Sequence, residues 1–346
     1  YKLTEITDDL NDNFNNNLNH LLKPLYILSY MKKVMSKKFE AIDWLEHINN
    51  IERMPSMKDA CIRYEKDLVS IISKNRKFKE PPVLMLSGGV DSMMLGTVLK
   101  KHFGLTQSFS FASVLDTKDI IQSQKSARSL GVDNELIVIP FDEIVENLHL
   151  ARGKSIETVN SLLCYLIFKL GLQKARVKNV DVLNGDGADT LLGSLKSFMY
   201  IDTPYIMEKY NVSKDTARTA CKILFYSIAT NPNIKRATSA SPLIHMAAEG
   251  NDCNAILPFK HKDVLEWVNR LPYSFANLKG YPKNKHLHKE FISYMGDYDN
   301  SQERTVMQIG TGIYEKLQDY LMQTYKTKTP NTAVKQLVST SSTLPI

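Results

Sequence analysis

The segment Ser87-Gly88-Gly89-Val90-Asp91-Ser92 constrains this chain more than any other. An apolar run, Val83-Leu84-Met85-Leu86, leads into it, and a helical pattern from Met93 to Leu99 leads out. That order specifies a buried strand, a tight turn and a helix. Two adjacent glycines let the backbone turn sharply with its N–H groups facing one concavity, and the following helix adds the positive end of its dipole. A phosphate chain fits such a nest. The hydroxyls of Ser87 and Ser92 add donors, and the Asp91 carboxylate is compatible with bound phosphates when a metal ion lies between them. An ordinary Gly-Gly turn is the plain alternative, and the hydroxyls and carboxylate within one hexapeptide favour the phosphate reading. The spacing is not that of a Walker A loop, so a lysine that reaches the phosphates must come from elsewhere in the chain.

From Pro81 to about Asn147 apolar strands alternate with helices. Val83 to Leu86, Ser108 to Val114 and Glu135 to Ile139 read as strands, with helices over Met93 to His102 and Lys118 to Leu130 between them. The alternation predicts an α/β fold with a doubly wound parallel sheet, whose ligand site lies at the carboxyl ends of the strands. Helical patterns at Leu162 to Leu170 and Lys174 to Lys178 precede a short strand, Val180 to Leu183, which ends on a second glycine-rich segment, Asn184-Gly185-Asp186-Gly187. From Ser194 to Arg304 the pattern is mostly helical, broken at prolines. Residues 1–80 read as a helical lead-in with Asn-rich polar stretches and apolar periodicity over Leu21 to Met35 and Cys61 to Ile72. Residues 81–325 read as the main domain. Residues 326–346, rich in Thr, Ser and Lys, are expected to be a mobile tail.

The 346 residues are 43% hydrophobic and 23% charged, which is ordinary globular composition. No run approaches the length of a membrane span, no secretory leader opens the sequence, and a cytoplasmic protein is expected. Cys61, Cys164, Cys221 and Cys253 are far apart and form no Cys-x-x-Cys pair, so buried free thiols are expected rather than a zinc site or a disulfide framework. The formal charge of +7 permits an anionic partner, and ATP alone accounts for a basic cleft, so nucleic acid is permitted without being indicated.

The hexapeptide after a buried strand resembles the pyrophosphate loop of the ATP pyrophosphatases, which split ATP into AMP and pyrophosphate. Val182 to Gly193 looks like the second signature of their asparagine synthetase branch, Leu-Ser-Gly-Glu-Gly-Ser-Asp-Glu-Leu-Phe-Gly-Gly, with Gly185, Gly187, Asp189 and Gly193 in register. Leu257-Pro258-Phe259, followed by Val264 to Pro272, resembles the Pro-Phe-Leu-Asp … Leu-Pro region. Lys285 opens the nearest equivalent of the pattern Lys-x-x-Leu-Arg. The resemblance covers roughly residues 50 to 300 and extends to the β-lactam synthetases and lasso-peptide cyclases.

The resemblance implies an ATP-dependent ligase with Mg²⁺ as cofactor. A substrate carboxylate attacks the α-phosphorus of ATP, pyrophosphate leaves, and ammonia or an amine converts the acyl-adenylate into an amide. Leu86, Ser87, Gly88, Gly89, Asp91, Ser92, Asn184 and Gly185 would bind the nucleotide, and Asp91 with Asp189 would hold the metal. Lys285 would stabilise charge on the α-phosphate and on the later oxyanion, with Lys283 and Lys289 as substitutes in the same basic run. Asp186 stands where asparagine synthetases carry Glu; it is a candidate general base, a third metal ligand or a turn former. Asn184, Ala188 and Thr190 depart from the usual residues, which argues against asparagine synthesis itself. Complete asparagine synthetases also carry an amino-terminal glutaminase; residues before Pro81 do not resemble one, and Cys61, inside a helical pattern, reads as a core thiol. The expected partners are therefore a small-molecule or peptide carboxylate, with ammonia, a substrate amine or a separate glutaminase as nitrogen source. An ATP pyrophosphatase acting on a nucleobase or tRNA oxygen, and a non-catalytic nucleotide-binding protein of the same fold, are the competing readings.

Overall fold

The computed structural model describes residues 56–113, 118–188, 241–268, 286–299 and 313–339, together with 192, 204, 207–208, 211–217, 271 and 275. The Asn-rich stretch, the pattern from Leu21 to Met35 and Cys221 lie outside these residues.

Among the described residues, five strands form one sheet: β1 (Val83–Met85), β2 (Gln107–Ala112), β3 (Asp133–Val138), β4 (Asp181–Leu183) and β5 (Asn254–Ile256). All neighbours are parallel, in the order β3-β2-β1-β4-β5. Central β1 and β4 are buried along their whole length, as strands covered on both faces require. Their side chains alternate between two cores. Leu84, Leu86, Leu183 and Ile256 face one; Val83, Met85, Val182 and Ala255 face the other.

The first core is covered by helices α1 (Met57–Asn75), α2 (Val90–Phe103) and α3 (Lys118–Leu130), to which later helices add. The second is covered largely by α5 (Val159–Ala175), which follows a short α4 (Phe141–Glu146), and by α6 (Ser241–Glu249). Helices on both faces of a parallel sheet give the doubly wound α/β architecture that the alternating pattern predicts. Beyond β5 lie α7 (Lys262–Val268), α8 (His286–Met295), α9 (Tyr314–Tyr325) and α10 (Pro330–Ser339).

Three details differ from the sequence expectation. The two helical pieces predicted around Leu162 to Lys178 are the single helix α5, capped by the Thr158 hydroxyl accepting from the Ser161 N–H at 3.1 Å. Gly171 inside it is a contact requirement, since a Cβ there would stand 2.5 Å from the Phe111 ring on β2. The region after Ser194, expected to be mostly helical, also contributes one short strand that was not foreseen, β5, paired with β4. The segment after Tyr325, expected to be mobile, contains α10, which buries Ala333, Val334 and Leu337 in the second core. A three-residue apolar stripe is enough to anchor it.

Two polar clasps fix α1. At its carboxyl end the wholly buried Asp181 of β4 accepts from the Lys77 N–H (2.9 Å), the Phe78 N–H (3.2 Å), Arg76 Nε (3.3 Å) and Asn254 Nδ2 (2.7 Å). In mid-helix, Glu65 meets Lys101 Nζ at 2.7 Å, His102 Nε2 at 2.6 Å and Tyr294 Oη at 2.7 Å, joining α1 to α2 and α8. Burial pushes the Glu65 carboxyl up, but hydrogen bonds from Lys101, Tyr294 and His102 outweigh it and hold the group down at about 2. A carboxyl lowered on folding stabilises the native state above its ordinary value of 4.5 and loses that contribution as pH falls towards about 2. Glu65→Gln is therefore expected to be less stable than the parent near neutral pH, with the gap closing below 4.5. Denaturant midpoints of the two proteins across acidic pH check this, and a gap that stays constant with pH would refute it.

Candidate active site at the switch point of the sheet

From β1 the chain continues to β2 and β3 on one side, while β4 and β5 lie on the other, so the strand order reverses between β1 and β4. Loops leaving the carboxyl ends of two such strands diverge and leave a crevice, the usual ligand position in open α/β sheets. Both glycine-rich segments emerge there: Ser87 to Gly89 after β1, and Asn184 to Gly187 after β4.

Backbone and hydroxyl contacts shape the first loop. The Ser110 hydroxyl donates to the Leu86 carbonyl at 2.6 Å, and the Leu86 N–H donates to the Phe109 carbonyl at 2.7 Å, so the strand edge is held to its last residue. Gly88 then takes φ +77°, in the left-handed region, with its Cα against α3; a Cβ would meet Ser123 N at 2.6 Å and Gln122 C at 2.8 Å. No other residue type fits both constraints. Ser92 Oγ donates to the Gly89 carbonyl at 2.9 Å and lies 3.1 Å from Ser87 Oγ, which ties the loop to the first turn of α2. Gly89 stands at the amino end of α2 without a side-chain cap, leaving the first N–H groups of the helix directed at the crevice.

The second loop closes on the first. A Cβ on Gly185 would stand 3.3 Å from Ser92 N and 3.4 Å from Asp91 Cβ, so a glycine here lets the two loops touch. Asn184 shapes the turn by accepting the Asp186 N–H on its Oδ1 at 2.6 Å. Gly187, at φ +99°, packs against the stem of Lys260, where a Cβ would come within 2.8 Å of the side chain. Lys260 Nζ in turn lies 3.8 Å from Asp186 Oδ2, both side chains being about one-third exposed.

Of the residues singled out in the sequence, Leu86, Ser87, Gly88, Gly89, Asp91, Ser92, Asn184, Gly185 and Asp186 gather at this crevice. Asp189, Thr190, Lys283 and Lys285 lie outside the described residues. Lys289 is in α8, one residue beyond the buried His288. Among the described residues no group of three or more His, Cys, Asp or Glu side chains forms a ready metal cluster. The oxygen donors nevertheless suit a hard divalent cation: Asp91 is an oriented carboxylate, and Asp186 stands on the adjoining loop.

Three participants were not foreseen. His288 Nδ1 lies 2.8 Å from Asp91 Oδ1, and Tyr64 Oη of α1 lies 3.0 Å from His288 Nε2. Lys260 brings a cation to the second loop. Two of them were legible by register: if Lys285 opens Lys-x-x-Leu-Arg, the leucine position falls on His288, and in Pro-Phe-Leu-Asp the leucine position falls on Lys260, whereas no motif marks Tyr64.

Two touching glycine loops at the switch point of a parallel sheet, in the motif order given above, accompany a match to a known family. Residues 66–223 match the asparagine synthase family. The matched residues contain both loops, strands β1 to β4 and helix α5. Among solved structures the chain is similar to an NH3-dependent NAD synthetase from Campylobacter jejuni, with 16% identity over 56% of this chain and 93% of that one and a TM-score of 0.31. It is also similar to an NMN synthetase from Francisella tularensis, with 14% identity over 71% of this chain and 97% of that one and a TM-score of 0.29. Comparison with curated proteins gives no match. No helix among the described residues is long and apolar enough to cross a membrane. Among the described residues, Cys61, Cys164 and Cys253 are buried free thiols, as expected. Burial pushes Cys61 and Cys164 up to about 12, which removes them as thiolate nucleophiles.

Proposed function

We propose that the protein is an ATP-dependent amide-forming ligase, which adenylates a small-molecule or peptide carboxylate and transfers the acyl group to ammonia or an amine. The observation that carries this reading is the contact of Gly185 with Asp91 and Ser92, which makes the two loops one continuous wall. The asparagine synthase match supports an ATP-using ligase of this fold.

In this reading the N–H groups at the start of α2 and the Ser87 and Ser92 hydroxyls bind and orient the phosphates of ATP. Asp91 with Asp189 would hold Mg²⁺, which when bound would neutralise charge on the phosphate oxygens. Lys285 supplies positive charge at the α-phosphate, so that the substrate carboxylate can displace pyrophosphate and form the acyl-adenylate. Lys260 keeps the Asp186 carboxylate directed along the second loop. From there Asp186 accepts a proton from the incoming amine as the amide bond forms and AMP leaves. The nitrogen arrives as free ammonia, a substrate amine or the product of a separate glutaminase.

The test is pyrophosphate release from Mg²⁺ and ATP across a panel of carboxylates, with and without ammonia or amines. Release that depends on one class of acid is expected, and mass spectrometry of that mixture should show the corresponding amide. Release that follows added RNA instead of any acid would replace this reading with activation of a nucleobase oxygen. ATP binding without release under any condition would make the protein a nucleotide binder.

A further inference from the structure

His288 is buried completely, yet its ring is polar. It is stacked between two aromatic rings, with centroids 5.7 Å from Tyr64 and 5.1 Å from Phe259, and both stacks are tilted by 26°. The slot is built for a flat or branched apolar group: Phe291 closes it at 5.5 Å from the Tyr64 ring, and Leu287 and Ile292 flank it on the buried face of α8. If Lys285 opens the Lys-x-x-Leu-Arg pattern, the leucine position falls here. Burying an imidazole there costs desolvation that a leucine would not incur, and the ring recovers it through hydrogen bonds at both nitrogens.

Those bonds have a direction. An ionised carboxylate accepts and cannot donate, so Nδ1 bears the proton in the 2.8 Å contact with Asp91 Oδ1. Nε2 then accepts from the Tyr64 hydroxyl at 3.0 Å. Burial, and after it the negative charge of Asp91, push the Tyr64 hydroxyl well above its usual range, so it keeps the proton it donates. The chain Tyr64 Oη to His288 Nε2, and Nδ1 to Asp91, runs from the buried face of α1 to the mouth of the crevice. There the Asp91 side chain is 21% exposed.

We propose that His288, locked in one tautomer by Tyr64, is a positioning residue that sets the Asp91 carboxylate for the metal-bound phosphates of ATP. The inference rests on the reading of the crevice as an ATP site. A ring donor on the outer side of a metal-binding carboxylate fixes its rotamer, and loss of such a partner typically weakens metal binding or activity about 10- to 100-fold.

The experiment is calorimetric titration of the whole protein with ATP, in Mg²⁺ and in EDTA, for the parent, His288→Leu, His288→Asn and Tyr64→Phe. The Asn amide can stand in for the Nδ1–H donor. His288→Leu is expected to weaken ATP binding at least about tenfold in Mg²⁺ while leaving the metal-free affinity unchanged, and His288→Asn to restore most of the loss. Tyr64→Phe should show a smaller loss of the same kind. Equal Mg²⁺-dependent affinity in the parent and His288→Leu would overturn the proposal while leaving the ATP site intact; failure of the parent itself to bind ATP would instead remove the functional reading on which it stands. Nitrogen-15 NMR of histidine-labelled protein tests the proposal without any variant having to fold. A His288 ring protonated on Nδ1 alone is expected, and a proton on Nε2 would overturn it.

Discussion

Asp91→Asn is expected to lower the rate of pyrophosphate release by about 10²- to 10³-fold, the range seen when one electrostatic group is removed from a reacting phosphate or acyl centre. The amide matches the carboxylate in shape, and its oxygen can still accept the His288 Nδ1–H, so the loop geometry survives and the charge alone is lost. Folding should change little, because the side chain sits at the crevice mouth in the first turn of α2. Steady-state pyrophosphate release beside a thermal melt separates the two effects. A variant that turns over at the parent rate would take Asp91 out of metal binding, and a variant that melts far below the parent would make its role structural.

The largest effect on stability is expected at the other end of the sheet. Asp181→Ala should destabilise the fold by about 3 kcal/mol, because it removes a wholly buried carboxylate that serves a half-buried guanidinium, two backbone N–H groups and the buried Asn254 amide at once. Arg76 would keep its bonds to the carbonyls of Phe78 and Lys79 but lose the carboxylate, and the N–H groups of Lys77 and Phe78 would lose their acceptor. Asn254 Nδ2 would keep the Asn75 carbonyl, at 2.9 Å, and lose Asp181. Urea unfolding measures the change, and a loss below about 1 kcal/mol, the size of an exposed ion pair, would show that the clasp is not a buried network. Asp181→Asn should fall between the two, since it keeps the acceptor oxygen and drops the charge.

The sheet and its first loop were legible because their signals are local. Val83 to Leu86 is a continuous apolar run, Gly88-Gly89 is a turn that few other sequences make, and α3 appears with the predicted bounds Lys118–Leu130. β5 was not legible: Asn254-Ala255-Ile256 is three residues long, has no alternation, and is a strand only because β4 lies beside it. α10 was missed for a related reason. Its apolar residues are few, and their burial depends on the second core rather than on their own sequence.

The site divides in the same way. Glycines and acids of the two loops can be found from motif register, whereas the partners of those acids come from elements far along the chain. His288 lies in a basic run that reads as solvated surface. Yet Leu287, His288, Phe291, Ile292 and Met295 repeat at helical spacing on the buried side of α8. The periodicity was available; which neighbours would meet the histidine was not. Lys260 follows the recognisable Pro258-Phe259 pair, but its approach to Asp186 depends on the closeness of β5 to β4.

The pairing of β1 with β4 also has a kinetic meaning. Val83 opposes Val182 and Leu84 opposes Leu183, strands separated in the chain by β2, β3 and all of α5. Such a parallel contact forms only after a long loop has closed, which makes it a slow step in folding. The crevice is therefore assembled late. A nascent chain would carry a finished first loop for some time before the second reached it, and affinity for nucleotide would mark the completion of the sheet rather than its beginning.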